Sequence, residues 1–393
     1  MALSRRQFVQ TAGLGAGAAL TSSIWGRGRE NSIWSALEPD LQAVERGVIC
    51  IASNENPVGP GQKVLGSLRA LLENTAKPGR YSGQSGELTE AIAAHFKVKT
   101  DNVLVSEGST EILRAATQVF TSKQKALVGT IPTYEECAGY AELLGNPVRG
   151  VKLNSEFKID LDQMLAAAKG AGLVFYCNPN NPTATYVGAK ATRDFLQKLN
   201  AASPETTILV DEAYFDYVTD PDHETHVPVA VENPRVIVAR TFSKAYGMAG
   251  LRQGYAIAHA DTIKKLRSWV GSGGTGSLNV FGMAAATVAI GQDASFTTNE
   301  RNRNKAVRDM VTKWFADRGM KPTDCQANFM FVNIGTPAKA FREACRAKGV
   351  MVARDFPPFH QTHARISLGT MEEMQKAVQV FGEVLAKKST AAA

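Results

Sequence analysis

The stretch that decides the fold is TFSKAYGMAGLR, residues 241–252, which follows the apolar run Val236–Val238. Its one lysine, Lys244, has the hydroxyl of Ser243 one residue before it and the guanidinium of Arg252 eight residues after it. A lysine in this setting can bond covalently to an aldehyde, while a hydroxyl and a guanidinium hold an attached phosphate. Most lysines that follow a strand are solvated surface charges, so this interpretation depends on partner residues elsewhere in the chain.

Short apolar runs alternate with helical patterns through the middle of the chain, which predicts an α/β fold. Continuous runs of this length are typical of strands buried on both faces, and strands that alternate with helices predict a mostly parallel sheet. Leu88, Ile92 and Phe96 show the helical spacing of four residues. The apolar runs are Val103–Val105, Ala126–Val128, Leu173–Tyr176, Thr207–Val210, Val236–Val238 and Tyr255–Ile257.

The pattern changes after Gly291, which predicts a second, smaller α/β domain. A charged helix over 299–318, apolar runs at 329–332 and 349–352, and a terminal helix over 371–385 are expected there. The early run Ile49–Ile51 is expected to pack with it, because chain ends often lie close together. We therefore assign residues 39–75 and 291–387 to the smaller domain, residues 76–290 to the large domain, and 388–393 to a tail.

The N-terminus is typical of a targeting segment. Ser4-Arg5-Arg6-Gln7-Phe8 precedes a weakly apolar stretch, residues 9–20, as in twin-arginine export signals. The stretch is too short for a stable membrane span. We predict that residues 1–38 are a signal and linker and that the protein is exported, to a periplasm. If the segment is instead a frayed basic terminus without signal function, the protein stays in the cytoplasm.

Composition disfavours several classes of function. The 393 residues carry a net charge of +7, and Arg5, Arg6, Arg27 and Arg29 supply four of the positive charges. Basic residues are not interleaved with aromatic ones, so we expect no nucleic-acid binding. The five cysteines form no Cys-x-x-Cys pair and lie near no histidine cluster, so we expect no metal site. We interpret them as small buried side chains, with pairing left open in an oxidising compartment.

Polar side chains follow four of the apolar runs, where ligands bind in open α/β sheets. Ser109 and Thr110 begin a helix whose free N–H groups attract an anion, although an ordinary side-chain N-cap has the same sequence. Two Asn-Pro steps fix amide side chains such as Asn181. Asp211 ends a buried run, and a carboxylate there needs a cationic partner. With Lys244, the four strand ends supply a phosphate cradle, an amide, a carboxylate and an amine.

Together these motifs resemble the class I/II pyridoxal-phosphate (PLP) aminotransferases of fold type I, and in particular the histidinol-phosphate aminotransferase branch. The resemblance spans nearly all of the chain after the N-terminal signal, in the family's order. It implies a mostly parallel sheet of the seven-stranded type between helices, plus the smaller α/β domain. The motifs that carry it are Ser53-Asn54-Glu55-Asn56-Pro57, Arg80-Tyr81, Gly108-Ser109-Thr110-Glu111, Pro132-Thr133-Tyr134, residues 178–183, Asp211-Glu212-Ala213-Tyr214, residues 241–252, and residues 365–370.

The resemblance implies PLP as the cofactor, held covalently by Lys244, whose amine then moves a proton between substrate and cofactor. Asp211 would pair with the pyridinium nitrogen, and Tyr214 and Asn181 would hydrogen-bond the phenolic oxygen of the ring. Tyr134 would stack on the ring, with a core aromatic as the alternative. The cofactor phosphate would be bound by Ser109, Thr110, Ser243 and Arg252.

The resemblance also implies substrate contacts and a partner subunit. Arg365 lies in the motif that recognises the anionic group of the substrate, which a guanidinium can meet with two parallel hydrogen bonds. Arg354 is a second candidate, with a surface arginine as the alternative, and Asn54 and Asn56 are expected to line the substrate entrance. Tyr81 is expected to reach the cofactor phosphate of a neighbouring subunit, which implies a homodimer with shared sites. The implied reaction moves an amino group from an amino acid or amino-alcohol phosphate to a 2-oxo acid such as 2-oxoglutarate.

Several features depart from the pattern of this branch and leave the amino donor open. Val58 stands where histidinol-phosphate enzymes often carry an aromatic residue, and Ala184 replaces the usual glycine. Residues 272–277 are unusually rich in glycine. The predicted export is a further departure, because histidine biosynthesis is cytoplasmic. A PLP-dependent decarboxylase or β-lyase would use the same residues, because the cofactor does the difficult chemistry. An exported two-lobed binding protein is a remote alternative that does not explain Lys244, Asp211 and Arg252 together.

Overall fold

Eleven strands and twelve α-helices occur in the part of the chain that the structure describes. This computed structural model describes residues 47–73, 79–80, 86–271, 278–292 and 295–386, all within one compact unit, residues 44–393. The strands are β1 (Ile49–Ile51), β2 (Val103–Ser106), β3 (Leu127–Ile131), β4 (Val148–Lys152), β5 (Leu173–Cys177), β6 (Thr207–Asp211), β7 (Val236–Thr241), β8 (Gly254–Ala258), β9 (Phe329–Asn333), β10 (Val350–Val352) and β11 (His363–Ser367).

The helices alternate with the strands through the middle of the chain, as predicted. They are α1 (Gly61–Glu73), α2 (Gly86–Phe96), α3 (Ser109–Phe120), α4 (Glu136–Leu143), α5 (Leu161–Ala168), α6 (Ala189–Ala202), α7 (Val227–Glu232), α8 (Ala260–Arg267), α9 (Val280–Ile290), α10 (Ser295–Ala316), α11 (Ala338–Arg346) and α12 (Met371–Ala386). The predicted helices over 299–318 and 371–385 correspond to α10 and α12.

Seven strands form the central sheet, in the order β2-β8-β7-β6-β5-β3-β4. Every neighbouring pair is parallel except β2 with β8 and β8 with β7, which are antiparallel. The predicted seven-stranded, mostly parallel sheet is therefore confirmed. Because β8 alone runs the other way, six strands have their carboxyl ends at the same edge of the sheet.

The strands that could be predicted from the sequence are those that are buried on both faces. β5, β6 and β7 are buried along their whole length, and their apolar runs had predicted them. The edge strand β4 was missed because it buries only Val151 and exposes Arg149, Gly150 and Lys152. The direction of β8 was also not foreseen. Only the 3₁₀ turn Ala249–Leu251, and no α-helix, lies between β7 and β8. Neighbouring parallel strands need a long crossover connection, usually a helix, so β8 pairs antiparallel.

A second hydrophobic core combines β1 with the strands and helices of the C-terminal segment. β1 pairs with β10 in parallel, and β9 pairs with β11 antiparallel. Ile51, Phe329, Ile366 and Phe381 belong to this core. Of the predicted N-terminal part of the smaller domain, residues 39–75, Ile51 packs in this core, whereas Val64 of α1 packs in the core of the large sheet.

The cysteines are used for packing, in agreement with the sequence interpretation. Cys137, Cys177, Cys325 and Cys345 are buried among apolar side chains and form no disulfide. Where the chain is described, none of its helices combines the length and the apolar character that a membrane span requires.

Candidate active site

Lys244 lies in the loop after β7, at the edge where six strands end. Its Nζ donates a hydrogen bond to the carbonyl oxygen of Ser53 at 3.1 Å and lies 5.8 Å from the centre of the Tyr214 ring. Burial lowers the pKa of Lys244 to about 8, and the positive charges of Arg365 and Arg252 act in the same direction. A solvated lysine has a pKa near about 10.4, so far more of this amine is neutral and nucleophilic at neutral pH.

Asp211 is the last residue of β6, and its carboxylate is only 3% exposed. One oxygen accepts the backbone N–H of Ala213 at 3.1 Å, and the other lies 3.9 Å from the Cys177 Sγ. No ion pair to a described lysine, arginine or histidine satisfies it within 4.0 Å. Burial raises the pKa of Asp211 to about 7. A cationic ring nitrogen would supply the missing positive charge.

Tyr214 presents its hydroxyl next to two amide side chains. Asn54 Nδ2 donates to this oxygen at 3.1 Å, and Asn181 Nδ2 donates at 3.4 Å. Burial raises the pKa of Tyr214 well above its ordinary value, so the phenol keeps its proton. The ring packs edge-on against Phe329, with 4.9 Å between centroids. The structure thus brings Tyr214 and Asn181 together, and their bonds to the ring oxygen of the cofactor stay a prediction.

The N-terminus of α3 forms an anion cradle with the loop that precedes β8. The N-cap is Gly108, with φ of 74°, and no side chain caps the helix, so the ordinary side-chain cap considered for Ser109 and Thr110 is wrong. The first N–H groups of the helix thus have no partner within it. A Cβ on Gly108 would overlap the guanidinium of Arg252, and one on Gly254 would overlap the backbone N of Ser109. The left-handed φ of Gly108 and the backbone contact at Gly254 favour glycine at the two positions.

Ser243 and Tyr134 complete this side of the site. The Ser243 Oγ accepts a hydrogen bond from the Thr241 hydroxyl at 3.0 Å, and Ser243 is buried. Tyr134 is half-buried in the turn after β3, and burial raises its pKa to about 12, so it too stays neutral. The Thr133 hydroxyl ties this turn to Asn180 at 2.8 Å. A neutral aromatic ring held in this way is suited to stacking on a flat ligand.

Two arginines lie over the ring of Phe356, Arg365 at 4.6 Å and Arg354 at 4.5 Å from its centroid. Arg365 is 8% exposed and donates to Asn181 Oδ1 at 2.8 Å and to the Ala52 carbonyl at 2.6 Å, while its Nε has no acceptor. Burial lowers the pKa of Arg365 to about 10, which leaves it charged at neutral pH. Arg354 instead donates to both carboxylate oxygens of Glu135 at 2.7 Å.

The remaining predicted residues have different positions. Asn56 is buried; its Nδ2 donates to the Ala245 carbonyl at 2.9 Å, and its Oδ1 accepts the N–H of Val58 at 3.0 Å. Both ends of its amide therefore bond to the chain itself, and its role toward a substrate stays a prediction. Val58 is 56% exposed. Tyr81 and the glycine-rich segment 272–277 lie outside the described residues.

Several contributors were not singled out from the sequence. The carbonyls of Ala52 and Ser53 have no sequence signal, because every residue carries one. Glu135 looked like an ordinary charge beside Tyr134 until folding placed Arg354 against it. Asn54, in contrast, was expected with Asn56 at the substrate entrance; it adopts a left-handed φ of 56° and bonds Ser367 through its backbone N and its side chain, and its role toward a substrate stays a prediction.

The arrangement fits PLP, because the ring nitrogen, the phosphate and the aldehyde each have a complementary group. Asp211 offers a buried negative charge for a ring nitrogen, the start of α3 with Arg252 offers donors for a phosphate, and the amine of Lys244 is poised for an aldehyde. The buried carboxylate of Asp211 is the strongest of these observations, because no cationic side chain among the described residues pairs with it within 4.0 Å.

The comparisons with known proteins agree with this chemistry. Residues 46–381 match the family model "Aminotransferase class I and II". Histidinol-phosphate aminotransferase from Moorella thermoacetica is 33% identical over 345 residues, which cover 87% of this chain and 86% of the relative. The Bacillus subtilis strain 168 enzyme of the same name is 30% identical over 339 residues, covering 86% and 92%.

A solved structure gives the same result. The histidinol-phosphate aminotransferase of Sinorhizobium meliloti in complex with pyridoxal-5′-phosphate superposes with a TM-score of 0.79 at 25% identity, covering 86% of this chain and 91% of that one. The family model, the relatives and the site all lead to one conclusion. The chain belongs to the class I and II aminotransferases and is a PLP-dependent aminotransferase.

Proposed function

We propose that this aminotransferase takes its amino group from an amine with an anionic group next to the reacting carbon, such as histidinol phosphate or an amino acid, and passes it to a 2-oxo acid such as 2-oxoglutarate. One observation carries the proposal: a buried carboxylate and a buried guanidinium, Asp211 and Arg365, form no ion pair within 4.0 Å with a described residue. The first matches a cationic cofactor ring and the second an anionic substrate. The names of the relatives support histidinol phosphate as the first donor to test.

The residues divide into cofactor and substrate contacts. In this proposal Asp211 holds a proton on the ring nitrogen, and Tyr214 and Asn181 bond the ring oxygen. When bound, PLP withdraws electrons from the substrate carbon and so makes its proton removable. Tyr134 stacks on the ring. The phosphate contacts are Ser109, Thr110, Ser243 and Arg252.

Lys244 is the residue that moves the proton. Its amine lies at the sheet edge near Tyr214, and its lowered pKa lets it accept a proton from the substrate carbon near neutral pH. The same ammonium can then return the proton to the cofactor side. Ser53 holds the amine through its carbonyl oxygen, which restricts where the proton is delivered.

Arg365 and Arg354 set the substrate end of the site. Arg365 is held by Asn181 and Ala52, which leaves its unpartnered Nε as a donor for an incoming carboxylate or phosphate. Arg354 is already engaged by Glu135, so a second anionic group must compete with that carboxylate. Arg365 is therefore the primary anchor and Arg354 a secondary one.

A panel of amino donors assayed with 2-oxoglutarate tests the reaction. We expect one oxo product formed per glutamate, with histidinol phosphate among the substrates. Carbon dioxide or ammonia release without consumption of an acceptor would instead support a decarboxylase or a β-lyase.

Borohydride reduction of the coloured holoenzyme, followed by peptide mapping, tests the role of Lys244. We expect the label on Lys244 and no turnover in Lys244→Ala, with circular dichroism unchanged because the half-buried amine makes only one bond to the chain. Lys305→Ala, which removes an exposed lysine on α10, is the control and is expected to keep full activity. Turnover by Lys244→Ala would contradict the assignment.

We also propose a homodimer in which Tyr81 reaches the phosphate site of the neighbouring subunit. The Arg80-Tyr81 motif supports it, and a mixing experiment tests it. Lys244→Ala and Tyr81→Phe are expected to be impaired as homodimers, whereas mixed dimers contain one site with both native residues. Recovered activity after mixing supports shared sites, and activity that equals the average of the two variants opposes them.

We also propose that the protein is exported and that the chain is divided into two domains. The paired arginines at 5 and 6 before an apolar stretch support a twin-arginine signal within residues 1–38 and a periplasmic location. Arg5→Lys with Arg6→Lys is expected to retain the protein in the cytoplasm, which cell fractionation would detect; unchanged export would oppose the proposal. The two hydrophobic cores support the division into a large domain, 76–290, and a smaller one from residues 39–75 and 291–387, with the exception of α1, whose Val64 packs in the core of the large sheet.

A further inference from the structure

Three arginines are more than nine-tenths buried in the part of the chain that the structure describes: Arg240, Arg308 and Arg365. Arg240 lies 3.3 Å from a carboxylate oxygen of Glu212 and 3.8 Å from one of Asp216. Arg365 faces the candidate active site. Arg308 neither pairs with a carboxylate nor faces the active site. A buried guanidinium without an ion pair is unfavourable.

Arg308 lies on α10 and is 6% exposed. Its Nη2 donates to the hydroxyl of Thr219 at 2.6 Å, and its Nη1 has no acceptor. No carboxylate of a described residue lies within 4.0 Å. Burial lowers the pKa of Arg308. Asp309 and Asp324 oppose this shift without contacting the guanidinium, so its direct partner is a neutral hydroxyl and its Nη1 donors stay unsatisfied.

A cavity of about 1140 Å³ lies against Arg308, between α10, residues 155–158 and residues 319–326. Two of its acidic residues are already engaged: Asp309 pairs with Lys305 at 2.6 Å, and Asp324 pairs with Lys158 at 3.4 Å. The side chains of Phe157, Met320 and Lys321 add apolar surface and a further positive charge. The volume is sufficient for an organic ligand, because ligand cavities commonly measure about 300–1,000 Å³.

We propose that this cavity is a second anion site, which binds an organic anion through a carboxylate or phosphate group anchored on Arg308. A guanidinium meets either group with paired hydrogen bonds, and that contact would supply the counter-charge that the fold itself omits. The site is separate from the one that holds the amino donor, so the proposal extends beyond the transamination function.

The walls of the cavity are bonded to the segment that carries Asn181. Thr323 Oγ1 donates to the Thr183 carbonyl at 2.6 Å, and the Gln326 N–H donates to the Ala184 carbonyl at 2.7 Å. Thr185 Oγ1 donates to the Phe157 carbonyl at 2.7 Å. Occupation of the cavity is therefore expected to slow hydrogen exchange in residues 183–185; because the same segment carries Asn181 of the active site, this readout is combined with competition against the amino donor.

The test is calorimetric titration of PLP-loaded enzyme with sodium phosphate and, separately, with sodium malonate, at a fixed ionic strength set by sodium chloride. Wild type is compared with Arg308→Met, and with Lys305→Met as a control that removes a paired, exposed charge at the same cavity. We expect Arg308→Met to lose at least about tenfold in affinity for one of the two anions, and Lys305→Met to change little. The anion that is lost identifies phosphate or carboxylate as the preferred group.

Competition with the amino donor and hydrogen exchange together distinguish anion binding at the active site from anion binding at Arg308. Anions that bind at Arg365 compete with the amino donor in the assay, whereas those at Arg308 protect residues 183–185 from exchange without competing. Equal affinity of wild type and Arg308→Met for both anions would overturn the proposal, as would the absence of any binding at millimolar concentrations.

A second variant keeps the test decisive if Arg308→Met fails to fold. Thr312 is exposed, lines the same cavity and lies one helical turn after Arg308, so Thr312→Glu places a carboxylate within reach without removing a buried group. We expect Thr312→Glu to unfold at a higher temperature than wild type in chloride and to lose the anion response. A variant that still binds both anions like wild type would refute the assignment.

Discussion

At the residue scale, burial changes the chemistry of the charged groups at the sheet edge. The same loss of solvent lowers the pKa of Lys244, raises that of Asp211 and lowers that of Arg365. In each case the charged form is disfavoured because water is excluded and no opposite charge lies in contact. The site is therefore prepared for a ligand that brings charges of its own.

The lowered pKa of Lys244 predicts how the apoenzyme captures its cofactor. Only the neutral amine attacks an aldehyde, so the rate of PLP uptake should rise with pH until about 8, the pKa of Lys244, and then level off. In Arg365→Met the plateau should move to higher pH, because that guanidinium contributes to the shift. Stopped-flow absorbance of PLP binding measures both. A rate that continues to rise tenfold per pH unit through about pH 10 would show an ordinary lysine.

The ion pair between Glu135 and Arg354 predicts a specificity effect. Glu135→Gln removes the carboxylate that occupies Arg354, so the KM for the dicarboxylate 2-oxoglutarate should fall by about threefold to tenfold relative to the KM for pyruvate. Steady-state kinetics with both acceptors measures the ratio.

The control for Glu135→Gln is Asp355→Asn, which breaks the neighbouring Arg342–Asp355 pair. The two pairs have nearly equal exposure, 25% and 23% against 24% and 26%, so a general loss of an ion pair would affect both variants alike. An unchanged ratio in Glu135→Gln would mean that Arg354 does not contact the acceptor.

At the scale of elements, the direction of β8 builds the anion cradle. An antiparallel β8 brings its first residue, Gly254, to the edge where the other strands end, against the start of α3. A parallel strand would bring its last residue there instead. The absence of a side chain at Gly254 is what lets the N–H groups of α3 and the guanidinium of Arg252 approach the same point.

This close approach predicts that Gly254→Ala weakens cofactor binding. The new methyl group would overlap Ser109 N and the Gly108 backbone, displacing the donors of the cradle, so the Kd for PLP should rise at least about tenfold. Gly250→Ala is the matched control, since a Cβ there meets nothing within 4 Å. Equilibrium dialysis of the two apoenzymes against PLP measures the difference. Equal affinities would indicate that the phosphate is held elsewhere.

At the scale of the whole molecule, the site joins the large sheet to the segments that form the second core. Asn54 and Ser53 precede Asn56 on the N-terminal segment, Tyr214 follows β6, and Arg365 lies on β11. The Asn56 amide fastens the N-terminal segment to the Lys244 loop. The hydrogen bonds therefore make the site depend on packing between residues more than 300 positions apart in the chain.

The stability of the apoenzyme should depend on pH through Asp211. Its folded pKa of about 7 exceeds the ordinary aspartate pKa of about 3.9, so the folded state holds the proton more tightly and loses stability as pH rises from about 4 to about 7. Asp211→Asn has no proton to lose. The free energy of unfolding of this variant should therefore increase relative to that of wild type as pH rises, by up to about 4 kcal/mol near pH 8.

Urea unfolding of both apoenzymes near pH 4 and near pH 8 measures this gain. The difference between the variants should be small at the lower pH and large at the higher one. A difference that is the same at both pH values would show that the Asp211 carboxylate is stabilised by a group other than the cofactor. Activity provides a separate check, because Asp211→Asn cannot hold the ring proton and should lower kcat strongly.

The amino-acid sequence by itself determined the α/β class and most buried strands, because continuous apolar runs and the polar residues after them are local patterns, and the resemblance of its motifs to a known family indicated the cofactor and the family. Lys244, Asp211, Tyr214 and Asn181 could be named from such patterns alone. Only the tertiary structure decided the direction of β8, the placement of Glu135 against Arg354 and the isolation of Arg308. Each of these depends on contacts between distant segments, and whether a charge is buried with or without a partner is a property of that packing rather than of any stretch of sequence.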